Sequence, residues 1–208
     1  MELEYVLPQD IERRSFEIIA RELGEREIPD EVRPIVMRAI HTTADFDYAE
    51  NMYFSEGAVD KALELISRGC TIVTDTNMAK SGINKAALAK YGCRAECFMA
   101  DDDVAQAAKE QGITRAAASV DKAAKLGEPV IYVSGNAPTA LVRICEHMER
   151  GSFRPELVIG MPVGFVNVVQ SKEMLIASGA DCIVARGRKG GSNVAAAVCN
   201  ALMYMLGR

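Results

Sequence analysis

The sequence predicts an α/β protein: a flavodoxin-like, doubly wound parallel sheet of about five strands between helices, preceded by an N-terminal helical extension. Three observations point there. From residue 56 onward, short apolar runs alternate with longer amphipathic ones. Most of the short runs have the length and apolar content of strands buried on both faces. Polar loops, several of them rich in glycine, succeed these runs, at the sheet edge where an open parallel sheet binds its ligands.

Residues 10–22 and 31–42 read as two helices joined through Gly24 and Pro29. No Gly/Ser-rich or Pro-rich linker separates them from the strand–helix region, so they read as an extension packed on the sheet. The expected organisation is one domain over residues 1–208, with 1–55 as extension and 56–208 as sheet domain. Residues 56–69 place Val59, Ala62, Leu63, Leu65 and Ile66 on one helical stripe and end at Gly69. Candidate strands lie at 71–75, 95–99, 130–134, 157–161 and 181–185. A helix over 139–151 carries Leu141, Ile144, Cys145 and Met148 inward, and a last helix over 192–206 opens with Ser192 and Asn193, both good N-caps. Strand–helix alternation at this spacing implies right-handed crossovers, and the chain is too short for a closed eight-stranded barrel.

Composition narrows the function classes. The 208 residues carry a net charge of −5, and aromatic residues make up 6% with no Trp. A general nucleic-acid binder needs a basic field and stacking platforms, and neither is present. The start, MELEYVLPQD, has neither the basic nor the apolar region of a signal peptide, and no apolar run approaches ~20 residues. A cytoplasmic protein without membrane contact is expected. The six cysteines are scattered and form no CxxC, which favours reduced, buried thiols over disulfides or a zinc site. The ten methionines read as core filler.

His41 is one of only two histidines and lies in Arg38-Ala-Ile-His41-Thr42-Thr-Ala-Asp45-Phe-Asp47. An imidazole exchanges protons near neutrality, and the hydroxyls, carboxylates and cation around it can orient it and place a polar ligand beside it. From the run alone, a helix-end histidine making one structural hydrogen bond is the favoured reading. His147, near the end of an amphipathic helix, reads as structural. Asp101 to Asp103 read as a helix cap with solvated charge rather than a metal site. The loops after the strands offer Thr76, Asn77 and Lys80, then Asn136, then Gly164 and Asn167, then Arg186, Arg188 and Lys189. The last group sits among glycines before a helix N-terminus, which suits an acidic small ligand. It matches neither a P-loop nor a dinucleotide fingerprint.

Taken together, Tyr5 to Phe16, Ile40 to Asp47, Ile72 to Lys80, Gly82 to Lys85, Gly135 to Ala140, Pro162 to Asn167 and Ala185 to Asn193 resemble the precorrin-8X methylmutase family of cobalamin biosynthesis. No single stretch decides it; the set runs in order along nearly the whole chain. The resemblance implies an isomerase that moves a methyl group from C11 to C12 of the corrin ring of precorrin-8 or cobalt-precorrin-8, giving hydrogenobyrinate or cobyrinate. No metal and no dissociable cofactor are implied. His41 matches the family's proton donor and acceptor at a ring nitrogen, and Ser15 and Arg38 match substrate contacts. Arg115 is matched through a shorter pattern. Thr42 and the loop residues above are candidate contacts to a polycarboxylate corrinoid, and the family forms homodimers. Gln170 stands where an acidic residue is common, and it touches none of these roles.

Two other readings remain open. A flavodoxin-like corrinoid carrier would supply a ligand histidine in D-x-H-x-x-G after the first strand, which this chain lacks. A nucleotide-dependent oxidoreductase is weakened by the missing fingerprint.

Overall fold

The structure is a computed structural model that describes residues 3–207; Met1, Glu2 and Arg208, the ends of the expected domain, lie outside the described residues. After a 3-10 turn at Pro8–Asp10 come α1 (Ile11–Leu23), α2 (Arg33–Thr43), α3 (Tyr48–Asn51) and β1 (Met52–Phe54). Next are α4 (Ala58–Ser67), β2 (Thr71–Thr74), α5 (Asn77–Gly82), α6 (Lys85–Lys90), β3 (Arg94–Glu96), α7 (Asp102–Gln111), α8 (Arg115–Ala123) and β4 (Val130–Ser134). The chain ends with α9 (Pro138–Glu149), β5 (Leu157–Gly160), α10 (Val168–Ala177), β6 (Cys182–Ala185) and α11 (Ser192–Met205).

The sheet has six strands in the order β1-β6-β5-β4-β2-β3. The five expected strands are all present and run parallel. The sixth, β1, comes from the segment read as helical extension and pairs antiparallel with β6, Tyr53 opposite Val184. At three half-buried residues it is too short to show an alternating pattern in sequence. Its effect is to cover the β6 edge and to stitch the N-terminal segment into the sheet.

Side chains alternate across the strands and fill two cores. Ile131, Val133, Leu157, Ile159 and Ile183 face α1, α2, α4 and α11. Val130, Tyr132, Val158, Cys182 and Val184 face α7, α8, α9 and α10. Helix α11 is buried over most of its length and packs between α2 and α5. Small residues allow this: a Cβ on Gly82 would stand 2.8 Å from the Ala196 Cβ.

Three local expectations are corrected. The strand expected over 95–99 is Arg94–Glu96, and the chain turns away after it. Ser192 is not the N-cap of α11; Gly191 takes that position, and the Ser192 hydroxyl pairs with Thr76 at 2.7 Å instead. Asp101 flanks α7 without a capping hydrogen bond, and Asp101 and Asp103 hold the Lys122 ammonium at 2.7 Å each. Two other expectations, for His147 and for the cysteines, hold. His147 is structural, bridging Asp121 and Ser152 at 2.7 Å each. All six cysteines are buried free thiols. No helix among the described residues is long and apolar enough to cross a membrane.

Candidate active site

The loops at the carboxyl edge of the parallel strands are fastened to one another by buried polar groups. Asp75, directly after β2, is 1% exposed. Its carboxylate accepts from the backbone N–H groups of Gly135 (2.7 Å), Asn136 (2.9 Å) and Ala137 (2.6 Å), and from the Ser134 hydroxyl (3.0 Å). Burial raises its pKa above the ordinary carboxylate value, opposed by those four donors. The β2 loop thereby dictates the shape of the β4 loop. Under the β6 loop lies Lys172 of α10, fully buried, whose Nζ donates to the Gly187 carbonyl (2.9 Å) and the Lys189 carbonyl (2.8 Å). Gly191 N–H donates to the Met161 carbonyl at 2.7 Å, and a Cβ on Gly190 would stand 2.3 Å from that same oxygen. Only glycine permits this approach of the β5 and β6 loops.

The His41 run joins this edge from outside. Lys189 pairs with both Asp45 and Asp47 at 2.6 Å, tying the residues after α2 to the β6 loop. Those hydrogen bonds raise the Lys189 pKa and lower that of Asp45. His41 itself is exposed on α2 and opens onto a hollow of about 290 Å³. Arg38 and Thr42 share its wall with Gly82 of α5 and with Asn193, Ala196, Ala197, Asn200 and Tyr204 of α11. Neither ring nitrogen of His41 has a hydrogen-bond partner among the described residues, while its ring stacks on Phe16 at 5.1 Å. Arg38 contacts the Glu12 carboxylate and lies over the Phe16 ring (4.7 Å) and the Tyr204 ring (5.2 Å). A second hollow of about 670 Å³ between α1, α2 and α11 also has Arg38 and Tyr204 in its wall.

Of the residues singled out in sequence, His41, Arg38 and Thr42 therefore come together. Thr76, Asn136, Gly164, Asn167, Arg186, Arg188 and Lys189 lie on loops at the carboxyl edge, as expected, whereas Asn77 and Lys80, read as loop residues, fall on α5 because Thr76 caps a helix there; none of them lines the His41 hollow. Several cations already hold carboxylates: Lys80 pairs with Glu96 (3.1 Å) and Arg186 with Glu173 (2.6 Å). Arg188 lies 5.5 Å from the Phe165 ring centroid. Ser15 donates to the Ile11 carbonyl within α1. Arg115 lies apart, on a hollow between α7 and α8. Sequence reasoning did not single out Asn200, Tyr204 or Phe16. Asn193, Ala196, Ala197, Asn200 and Tyr204 recur at helical spacing, and polar groups on an otherwise buried stripe were the available signal.

Residues 10–205 match the family model described as precorrin-8X methylmutase. The chain belongs to the precorrin-8X methylmutase family. It is 46% identical to a cobalt-precorrin-8 methylmutase of Salmonella typhimurium, across 96% of each chain. It is 36% identical to a precorrin-8X methylmutase of Pseudomonas aeruginosa, across 93% of this chain and 94% of that one. Among solved structures, a precorrin-8x methyl mutase from Thermus thermophilus superposes with a TM-score of 0.88 at 38% identity, covering 95% of this chain and 98% of the other. The protein is thus a methylmutase, an isomerase of cobalamin biosynthesis. In a methylmutase the hollow offers an imidazole free at both nitrogens, a guanidinium beside it and neutral amides opposite, a set suited to proton exchange with an anionic ligand.

The fastened edge can be tested at both of its buried groups. Asp75→Asn replaces one carboxylate oxygen with an amide NH2 that faces N–H donors, so stability should fall by about 1–3 kcal/mol, read from the denaturant midpoint. For Lys172, burial lowers the pKa from 10.5 to about 8. Between those pH values the unfolded chain binds more protons than the folded one, so this group makes stability rise with pH. The stability difference between wild type and Lys172→Met should grow by about 3 kcal/mol across that window, with the buried thiols cancelling in the comparison. A pH-independent difference would show that Lys172 keeps its ordinary affinity for protons.

Proposed function

We propose that this methylmutase moves a methyl group from C11 to C12 of the corrin ring of precorrin-8 or cobalt-precorrin-8, giving hydrogenobyrinate or cobyrinate, with His41 as proton donor and acceptor at a ring nitrogen. The observation that carries this reading is the state of the imidazole. It faces an open hollow, has both nitrogens unengaged among the described residues, and stands one helical turn from the Arg38 guanidinium.

An intramolecular shift needs the macrocycle held in a reactive conformation and one nitrogen protonated at the right moment. All bonds broken and formed lie within the substrate, so the reaction calls on no dissociable cofactor. Arg38 takes a carboxylate of the macrocycle, Thr42 supplies a neutral hydrogen bond, and Ser15 and the strand-end loops provide further contacts to its polar periphery. The enzyme works in the cytoplasm, on the flavodoxin-like strand order that the five parallel strands adopt. It works as a homodimer. Exposed Val163, Phe165 and Val166 beside the strand-end loops support this, as do exposed Leu3, Tyr5, Leu7 and Ile11 at the N-terminal end. In such a dimer, Arg115, which lies on a separate hollow between α7 and α8, would reach substrate from the second copy.

His41→Ala should lower the single-turnover rate with precorrin-8X and with cobalt-precorrin-8 by roughly 10²–10⁴-fold. Corrinoid binding, read from the absorption band of the complex, should persist; wild-type turnover by this variant removes the assigned role. Sedimentation of the purified protein should give twice the 22.6 kDa chain mass. A monomer at micromolar concentration would withdraw the dimer.

A further inference from the structure

Phe16 occupies a place that none of the roles above accounts for. It is half-buried on α1 and makes two ring contacts at once. Its face lies 5.1 Å from the His41 imidazole with the planes at 25°, a stacked arrangement. The Arg38 guanidinium carbon lies 4.7 Å from the same ring.

The contrast with His147 shows what this arrangement does. His147 is fixed by hydrogen bonds at both nitrogens, 2.7 Å to Asp121 and 2.7 Å to Ser152, and neither nitrogen is left for a ligand. His41 is held the other way. The outer torsion of a histidine is broad and two-fold, so the side chain does not fix its own ring plane. A stacked ring restricts that plane while leaving both nitrogens free, and it contributes without taking up a donor or an acceptor. Arg38 has other supports, the Glu12 carboxylate and the Tyr204 ring, so loss of Phe16 leaves it two of its three contacts.

We propose that Phe16 is a positioning residue for the methyl shift: its ring sets the plane of the His41 imidazole and holds it in register with Arg38. This deepens the assignment of His41 as proton partner and rests on it. Phe16 acts through His41, so its removal slows the shift and leaves corrinoid affinity nearly unchanged.

The test uses Phe16→Leu, which keeps apolar volume and loses the flat face, and Phe16→Tyr, which keeps the face. In single-turnover reactions Phe16→Leu should be slower by roughly two- to tenfold, with corrinoid affinity within about twofold of wild type. Phe16→Tyr should restore the rate. A second readout needs no substrate: the His41 ring-proton resonances, assigned by their absence in His41→Ala, should lose an upfield ring-current displacement in Phe16→Leu and keep it in Phe16→Tyr. A wild-type rate in Phe16→Leu, or His41 resonances that do not move, overturns the proposal. If His41→Ala itself turns over normally, the proton-partner reading fails first, and the resonances still decide whether Phe16 orients that ring. Should Phe16→Leu prove unstable by its melting temperature, Phe16→Trp replaces it, with a retained stack and a retained rate expected and a shifted ring plane with no change in rate counting against.

Discussion

A buried carboxylate with no cation beside it among the described residues governs the carboxyl edge of this sheet. Asp75 leaves β2 pointing into the sheet edge, where water cannot reach it, and an ionised carboxylate there must be answered by donors. The donors are three consecutive backbone N–H groups and the Ser134 hydroxyl, all from the end of β4 and its loop. Meeting that demand fixes the loop residue by residue. Lys172 imposes the complementary constraint on the β6 loop, an ammonium that must be answered by the Gly187 and Lys189 carbonyls. Between them these two groups turn a row of loops, ordinarily the most mobile part of a parallel sheet, into a rigid rim.

The rim then places His41, although His41 is not part of it. Lys189 extends from the loop that Lys172 holds and grips Asp45 and Asp47, a few residues past the imidazole. As exposed ion pairs these contribute little stability. Their importance is geometric, since they fix where the end of α2 stands relative to the sheet edge. The packing of α11 between α2 and α5 fixes the same distance from the other side. Position at the site is thus set twice, once by charge and once by close packing of small residues.

Much of this was legible in the sequence, and the reasons for the rest are specific. The five parallel strands were legible because burial on both faces leaves uninterrupted apolar runs. β1 was not, because three half-buried residues carry no period. The polar strand-end loops could be found from their place after the strands, but not their internal bonding. That Asp75 serves backbone N–H groups some sixty positions later, or that Lys189 pairs across the chain with Asp47, depends on tertiary distance, to which local spacing is blind. Ser192 shows the limit most clearly: a residue with every local mark of a helix cap is used instead to reach Thr76. For the site, the chemistry-bearing residues His41, Arg38 and Thr42 share one helix and could be read together, whereas the α11 wall opposite them looked like ordinary core.

Four of the cations proposed to meet the substrate are already paired within the chain. Arg38, Lys80, Arg186 and Lys189 each hold a carboxylate of this chain. An acidic ligand bound as proposed would therefore meet an ion exchanger rather than a row of open charges. A ligand with one carboxylate swaps one contact for another of similar strength and gains little. A polyacid can exchange several at once, and each exchange after the first is intramolecular, favoured by effective concentration. Under the proposed function, an internal carboxylate also stands ready to return to each of these four cations as the ligand leaves.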